Sequence, residues 1–343
     1  LCERTRTATS TPFAFWGFRK DHKVPNNPEW RIDLPEEDRR ADLRSQLDQW
    51  IRQPSLRELA ESFGQSIDLT QPTALLFRDF DDISAEHWDT RKGAERNLAA
   101  QLELNPEQVS ALNAALKSLG LKEPVPPRRS SYDYLVILGG LIRACITRPR
   151  YGAALVDAGV NFEVVLALGG FRPLGGNELD LAASLGVAAD NEFHAMITGV
   201  KSAFDSGEPT LIETSAQSEP TNGDYAIARF ADPRLLVVAA PSREPEKRRA
   251  NTADTFAWWA EREGWRGKSA LIVTNPIYVP YQSAAAIQTL AMPYGVEVEV
   301  VGVDKGASDL GSNTQSFTQA NYLQEVRSAI VGNRQLFESL DVA

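Results

Sequence analysis

The chain has 343 residues, of which 43% are hydrophobic and 24% charged, and its formal net charge is -10. This composition excludes a disordered polypeptide, because there is enough apolar surface to form a core. The acidic balance disfavours nucleic acid as a partner, since a polyanion would have to bind against the overall field of the molecule. The two cysteines offer neither a disulfide framework nor the spacing of a metal site.

The start of the sequence lacks the apolar core of a signal peptide. There is also no run of about 18 apolar residues that could span a membrane. We therefore expect a soluble, cytoplasmic protein of two parts that has no nucleic-acid or membrane partner. The oligomeric state stays open.

Residues 1–123 are rich in charged side chains and show a helical rather than a strand pattern. Leu43, Leu47 and Trp50 lie on one face of a predicted helix. Asn105 precedes a proline in the pattern that begins a helix. These features predict a smaller, mainly helical N-terminal domain.

A proline-rich segment follows at 124–131, where Pro124, Pro126 and Pro127 exclude helix and interrupt strand pairing. We interpret this segment as the linker to a second domain, residues 132–343.

The second domain alternates short apolar runs with helical stretches. Continuous apolar runs are typical of strands buried on both faces of a parallel sheet. The predicted strands are 134–138, 164–168, 235–238, 270–273 and 296–303. The predicted helices are 142–158, 191–204, 252–263, 283–290 and 319–340. This alternation predicts an α/β fold with a Rossmann-like, doubly wound and mostly parallel sheet.

One interruption in this pattern predicts a β-hairpin. Segments 210–214 and 225–229 are joined through Asn222-Gly223, a pair that favours tight turns. The hairpin is either an antiparallel extension of the sheet edge or a flap over the site.

Ligands of open parallel sheets bind beyond the carboxyl ends of the strands. At that edge the first strand ends in Gly139-Gly140, and Arg143 follows within the next helix. Exposed backbone N–H groups, a helix N-terminus and a cation would together bind an anion. The alternative is that the two glycines only permit a tight strand-to-helix turn.

The second strand repeats this arrangement with Gly169-Gly170 and Arg172. Two glycine-rich loops at neighbouring strand ends favour an anion site over an accidental turn. Arg172 would bind a phosphate or carboxylate through two parallel hydrogen bonds, unless it faces solvent.

Glu192 begins the helix that follows, and His194 lies two residues further on. Residues two apart do not share a helical face, so a joint acid–base pair is not expected. Glu192 either complements the helix dipole or acts as a general base or metal ligand.

Asn251 and Thr252 precede another helix near the same sheet edge. An N-cap role alone would explain Asn251. We include both residues among the candidate ligand-binding residues because of the loop's position.

The fourth parallel strand ends in Thr274 and Asn275, and two prolines predict an irregular loop that exposes Tyr278 and Tyr281. Asp304 follows the last strand. Its carboxylate would accept ribose hydroxyls or bind a divalent ion, unless it caps the following turn.

Taken in order, these motifs resemble those of the YdcF-like family over about residues 132–339. The matching positions are Leu138-Gly139-Gly140 with Arg143, Leu168-Gly169-Gly170, Glu192, Asn251-Thr252-Ala253-Asp254 and Val273-Thr274-Asn275. Tyr278 and Tyr281 stand where the family carries a histidine and an arginine. The resemblance implies a Rossmann-like fold and a pocket for a nucleotide-like or otherwise anionic small molecule, with S-adenosylmethionine among the ligands.

The leading hypothesis is a hydrolytic enzyme acting on a nucleotide-like or phosphorylated small metabolite. Glu192 would serve as base or metal ligand, and Tyr278 as hydrogen-bond donor or acid. One alternative is a noncatalytic module that binds a nucleotide or S-adenosylmethionine. Another is a transferase in which the N-terminal domain is a lid. The cofactors considered are a divalent metal ion and S-adenosylmethionine, and no metal ligands are assigned.

Overall fold

The computed structural model describes residues 31–32, 40–89 and 102–341 of the chain. Its first part is helical, as the sequence predicts. The helices are α1 (Arg40–Ile51), α2 (Pro54–Ser62), α3 (Thr73–His87) and α4 (Pro106–Ser118). Asn105 caps α4. Its side chain accepts from the Gln108 backbone amide, and the Gln108 side chain accepts from the Asn105 backbone amide.

A seven-stranded, mostly parallel sheet forms the centre of the molecule. Its strands are β1 (Ser131–Ile137), β2 (Asn161–Gly169), β3 (Leu211–Thr214), β4 (Ala226–Arg229), β5 (Leu235–Ala239), β6 (Ser269–Thr274) and β7 (Glu297–Gly302). Their spatial order is β3-β4-β5-β2-β1-β6-β7. The chain thus passes from β1 to β2, continues to the far edge at β3, and comes back through β4 to β5 beside β2. It then crosses to the other side of β1 for β6 and β7.

The predicted hairpin is an antiparallel extension of the sheet edge. β3 pairs antiparallel with β4, and β4 pairs antiparallel with β5. All other strand pairs are parallel. The prediction of a mostly parallel sheet is confirmed.

The helices of this part connect the strands and follow the last one. They are α5 (Ile142–Asp157), α6 (Asn177–Ser184), α7 (Glu192–Ala203), α8 (Thr252–Glu263), α9 (Val279–Ala286), α10 (Met292–Tyr294), α11 (Lys305–Ser308) and α12 (Gln319–Ser339). Within the described ranges, no helix is both long enough and apolar enough to cross a lipid bilayer.

Alternate residues of β1 point to two different cores, as the pleat of a strand requires. Leu135 and Ile137 belong to the core formed with α5 and α7. Val136 instead packs in a core with Phe256 and Trp259 of α8. Helices therefore cover both faces of the sheet.

The N-terminal helices share a third core with the end of the chain. Trp50 of α1, Phe77 of α3 and Leu116 of α4 are buried in one cluster with Leu323 and Ile330 of α12. The domain boundary at 124–131 stays a prediction, but the parts that it separates are in extensive apolar contact.

The segment after β6 differs from the sequence prediction. The prediction of an irregular loop that exposes two phenols is wrong. Residues Pro276–Tyr278 form a 3-10 turn that leads directly into α9, and Tyr278 is buried. Each proline lies in the first turn of a helical segment, where its missing N–H costs no hydrogen bond. The prolines thus begin helices here and do not prevent them.

Candidate functional site

A pocket of about 380 Å³ lies at the carboxyl ends of β1, β2 and β5. The N-terminus of α8 forms one wall, and the loop after β2 forms another together with Glu192 at the start of α7. The lining residues are Leu138, Gly139, Gly140, Arg148, Leu168, Gly169, Gly170, Phe171, Arg172, Glu192, Thr221, Asn222, Ala240, Arg249, Ala250, Asn251, Thr252, Thr255, Tyr278 and Gln282. The glycine-rich loops of the sequence prediction therefore lie together, with Arg172, Glu192, Asn251, Thr252 and Tyr278 on the same pocket.

Glu192 is held in the pocket wall by the backbone around it. The Glu192 amide donates to the Arg172 carbonyl at 3.0 Å, and the Phe193 amide donates to the Gly170 carbonyl at 2.9 Å. These bonds fix the first turn of α7 against the second glycine loop. Only 15% of the Glu192 side chain is exposed.

Burial raises the pKa of the Glu192 carboxyl above its ordinary value of 4.5. Arg172, the Gly140 amide and Arg148 act in the opposite direction and offset only part of the effect. A carboxyl of this kind can take up and release a proton nearer to neutral pH than an exposed glutamate can.

Arg172 bridges two carboxylates at the pocket wall. It makes two bonds to Glu178, at 2.6 and 3.1 Å, and its Nε lies 3.3 Å from a carboxylate oxygen of Glu192. Glu178 also accepts from the Ile142 amide at the start of α5. Arg172 is therefore neither solvent-facing nor unpaired, and a ligand would meet a guanidinium whose charge is largely compensated.

Arg148 is a second buried cation beneath the pocket. It donates to the carbonyls of Leu138 and Gly139, the former at 2.9 Å, and its Nε donates to Asn275 Oδ1 at 2.9 Å. Its guanidinium also lies 5.9 Å from the centre of the Tyr278 ring. Arg148 thus fixes the end of β1 and brings positive charge to the pocket floor.

Two of the glycines are needed for close approach. A Cβ on Gly139 would overlap the Glu192 carboxylate and come within 2.5 Å of the Leu168 carbonyl oxygen. A Cβ on Gly169 would lie 2.8 Å from the Cα of Phe193. Real Cβ atoms do not approach so closely, so these positions exclude side chains while Glu192 keeps its place.

The α8 wall of the pocket is rigid. The Asn251 side chain caps the helix by accepting from the Asp254 amide at 3.0 Å, and the Asp254 carboxylate accepts from the Asn251 amide. Arg248 binds both oxygens of Asp254. The capping alternative for Asn251 is thus the observed one, and the positive end of the α8 dipole faces the pocket together with Arg249.

The other predicted site residues lie outside this pocket. Arg143 and Asn275 line a second pocket, on the far side of the β1 end. Thr274 is buried in the sheet. The Tyr281 ring lies against α12 and would be 3.0 Å from a Cβ on Gly332. Asp304 caps α11 by accepting from the Ala307 amide at 2.7 Å. Of the two roles that the sequence allows for Asp304, capping is the one observed.

Sequence reasoning missed several residues of the site. Arg148 is an arginine within an apolar helix directly before Pro149, a position that could have indicated a buried cation. Glu178 lies in the first turn of α6, a helix that was not predicted. Gln282 follows Pro280 in the segment interpreted as a loop, and its buried carboxamide oxygen has no hydrogen-bond partner among the described residues.

No group of three or more acidic, histidine or cysteine side chains suited to a metal ion occurs within the described ranges. His194 is exposed and lies 3.6 Å from Asp190, away from the pocket lining. The side chains at the pocket are suited to hydrogen bonding and proton transfer.

The fold and the pocket thus define an α/β protein with a polar pocket at the carboxyl edge of a mostly parallel sheet. Residues 34–120, a range that includes α1 to α4, match the family model described as the Rv3785 N-terminal domain. The chain is 28% identical over 328 residues to the uncharacterized proteins Rv3785 of Mycobacterium tuberculosis and Mb3814 of Mycobacterium bovis. These alignments cover 88% of this chain and 91% of each relative. No solved structure matches the chain.

These similarities overturn the resemblance to the YdcF-like family. The family model and the relatives are of the Rv3785 type, and none is YdcF-like. The physical reason is that these motifs suit the local structure of any parallel α/β sheet. Glycine pairs permit tight turns at strand ends, and an acidic first turn and an Asn-Thr start stabilise helix N-termini. Motifs of that kind identify the sheet edge but not the family.

Proposed function

We propose that the protein is an enzyme that hydrolyses a phosphorylated or nucleotide-like small metabolite in the pocket at the ends of β1, β2 and β5. The observation that carries the proposal is the position of Glu192. Its carboxyl is nearly buried at a pocket wall, has a raised pKa and lies 3.3 Å from a guanidinium nitrogen of Arg172. Perturbed carboxyls in pockets of this kind are typical of acid–base catalysis.

Glu192 would move one proton in the reaction. The oxygen of a water molecule attacks phosphorus, and the Glu192 carboxylate takes up the proton that this water loses. The bond between phosphorus and the leaving oxygen breaks, and the same proton passes to that oxygen. Arg172 would keep the Glu192 carboxylate oriented.

The α8 wall would hold the anionic part of the substrate. Arg249, the N-cap residue Asn251 and the first residue of the helix, Thr252, line the pocket. A helix N-terminus favours negative charge within its first turn. Arg148 adds charge below, although its hydrogen bonds go to the protein.

The Rossmann-like, doubly wound interpretation of the sheet belongs to this proposal. It is supported by the return of the chain across β1 after β5 and by the helices on both faces. In such sheets the ligand binds where the strand order reverses, and β1 is that strand here. The cytoplasmic setting likewise remains part of the proposal.

The test is turnover of a panel of phosphate monoesters and nucleotides by the unmodified chain and by Glu192→Gln. We expect Glu192→Gln to lower kcat by at least about 100-fold while KM changes little, because the amide retains the shape of the side chain but cannot carry the proton.

Glu107→Gln is the matched control. Glu107 is exposed in the first turn of α4, so this variant removes the same charge from an equivalent helical position far from the pocket. The proposal fails if Glu192→Gln retains full turnover, or if the unmodified chain converts none of the panel.

A noncatalytic binding module is the second candidate. It is favoured by the arginines, because Arg172 and Arg148 are both hydrogen-bonded to the protein and stabilise the pocket without a ligand. Calorimetry combined with mass spectrometry separates the two functions: a nucleotide that binds and is recovered unchanged after hours supports the module.

The transferase hypothesis, with the N-terminal domain as a lid, stays a prediction. Among the residues that the structure describes, none that lines this pocket precedes Leu138.

A further inference from the structure

The second pocket, of about 270 Å³, lies on the opposite side of the β1 end from Glu192. It is formed by the segment before β1, the start of α5, the ends of β6 and β7, and the segment that leads into α12. The lining residues are Leu121, Lys122, Pro124, Arg143, Thr147, Asn275, Pro276, Ile277, Val303, Lys305, Ser308, Gln315, Phe317 and Tyr322.

Within the described part of the chain, three cations and no acidic side chain line this pocket. They are Lys122, Arg143 and Lys305, which come from three separate parts of the chain. Lys122 donates to the Asn113 side chain and Arg143 to the Asn313 carbonyl, both neutral acceptors. Among the residues that the structure describes, none of the three forms an ion pair.

This arrangement contrasts with the rest of the molecule. The chain carries a net charge of -10, and Arg172 in the first pocket binds two carboxylates. Burial and then the charge of Glu123 raise the pKa of Tyr322, so Glu123 lies near the second pocket, and Asp304 caps α11; neither carboxylate is among the described residues that line the pocket. A cluster of like charges without ion-pair partners is unfavourable by itself and becomes favourable when an anion binds.

The remaining walls suit a planar ring. Phe317 and Tyr322 are partly buried and meet edge to face, with ring centres 6.1 Å apart. Phe317 also meets Tyr278 edge to face at 6.0 Å. The apolar faces and the cations lie in one cavity, so both ends of an amphipathic ligand are accommodated.

We infer that this pocket is a second ligand site, which binds a phosphate monoester carried on a planar ring. Lys122, Arg143 and Lys305 neutralise the phosphate dianion, and the ring packs on Phe317 and Tyr322. The inference does not rest on the hydrolytic function proposed for the first pocket, because none of the described residues lines both pockets.

The test is a calorimetric titration of the full chain with adenosine 5′-monophosphate at low salt, with adenosine and inorganic phosphate titrated separately. We expect the monophosphate to bind more tightly than either fragment. Lys305→Ala and Arg143→Ala should each weaken its binding about tenfold, which is the usual effect of losing one charged contact.

Lys117→Ala is the charge-matched control, since Lys117 is exposed on α4 and lines neither pocket. Arg249→Ala alters the other pocket, so it should weaken only a binding event of that pocket and leave the event that Lys305→Ala weakens. The inference is overturned if the monophosphate does not bind, if Lys305→Ala and Arg143→Ala bind it as the control does, or if Arg249→Ala removes every binding event. Equal affinities for inorganic phosphate and the monophosphate would overturn the role of the ring.

Discussion

Glu192 combines two properties that oppose each other. Its carboxyl is placed where solvent is nearly excluded, and yet it is bound to Arg172 and to the Gly140 amide, which favour its charged form. Burial is the larger influence, so its pKa is raised. A residue that costs the fold stability at neutral pH is one whose placement is explained by function more readily than by folding.

This cost predicts a pH-dependent difference in stability. Because the folded state raises the pKa of Glu192 above 4.5, the folded chain binds its proton more tightly than the unfolded chain does. The favourable contribution of Glu192 is fully present below about pH 4.5 and is lost as the pH rises through the folded-state pKa. Glu192→Gln carries no such charge, so its Tm should exceed that of the unmodified chain by about 2–4 °C near neutral pH.

The measurement is the Tm of both proteins between pH 4 and pH 8, with Glu107→Gln as control. The difference should vanish toward pH 4, where Glu192 is protonated in both states. A constant difference across the range would show that Glu192 titrates like an exposed carboxyl.

At the residue scale, the sequence predicted the backbone of the site better than its charges. The rule that ligands bind at the carboxyl ends of parallel strands located Gly139 and Gly169 before any side chain was known. It could not pair Arg172 with Glu178, because that contact depends on the direction of α6. It also could not predict that Arg148 binds two carbonyls just after β1, because this contact depends on how closely α5 packs against the sheet.

Among the elements, the contact between α5 and α7 decides where Glu192 stands. Pro149 has no N–H to donate to the Cys145 carbonyl one turn earlier, and that carbonyl instead faces Gly199 in the middle of α7. A Cβ on Gly199 would overlap the Cys145 oxygen and lie 2.9 Å from its carbonyl carbon. The two helices can approach this closely only with glycine there.

Gly199→Ala should therefore destabilise the protein. Alanine improves helix propensity by up to about 1 kcal/mol, but the overlap is with backbone, which cannot rotate away, and overpacking costs about 1–3 kcal/mol or more. We expect a net loss of about 1–2 kcal/mol in the free energy of unfolding by urea. The turnover that we propose for Glu192 should fall as well, because α7 must shift.

Gly207→Ala is the control for this variant, since a Cβ on Gly207 would meet no atom within 4 Å. If Gly199→Ala were as stable as this control, the close approach of α5 and α7 would not limit their packing.

Prediction of the elements succeeds where the hydrophobic pattern is strong. It fails at the start of α9, where prolines that break helices elsewhere lie in a first helical turn. The buried strands of the parallel sheet and α8 follow from continuous apolar runs and a capped helix start. The pattern does not predict the first half of α9, because Pro276 and Pro280 are typical of a loop. The same residues are compatible with the first turn of a helix, and the choice between these outcomes depends on tertiary packing.

On the scale of the whole molecule, α12 joins the N-terminal helices to the sheet. Arg327 donates to Asp81 of α3 at 2.7 Å, and Arg334 lies 2.9 Å from the other oxygen of the same carboxylate. Apolar residues of α1, α3 and α4 surround this link in the shared core. The two parts should therefore unfold together.

We predict a single transition in differential scanning calorimetry, which far-UV circular dichroism and tryptophan fluorescence should follow alike. Asp81→Ala should lower the Tm of that single transition, with a loss of about 1–3 kcal/mol in the free energy of unfolding. The reason is that it leaves two partly buried arginines without their closest partner. Asp82→Ala, an exposed neighbour on α3, should change little. Two separate transitions, with only one moved by Asp81→Ala, would contradict the coupling.

The overlap between a Cβ on Gly139 and the Glu192 carboxylate also has an evolutionary meaning. The two positions are 53 residues apart in the chain, but a side chain at 139 is incompatible with the glutamate at 192 in this backbone. A relative that retains the glutamate must keep glycine at the end of β1, whereas one that acquires a side chain there must have shortened or lost the acid and moved the Leu168 carbonyl. Covariation between these two positions in an alignment would therefore record where the lineage kept the buried carboxyl and where it abandoned it.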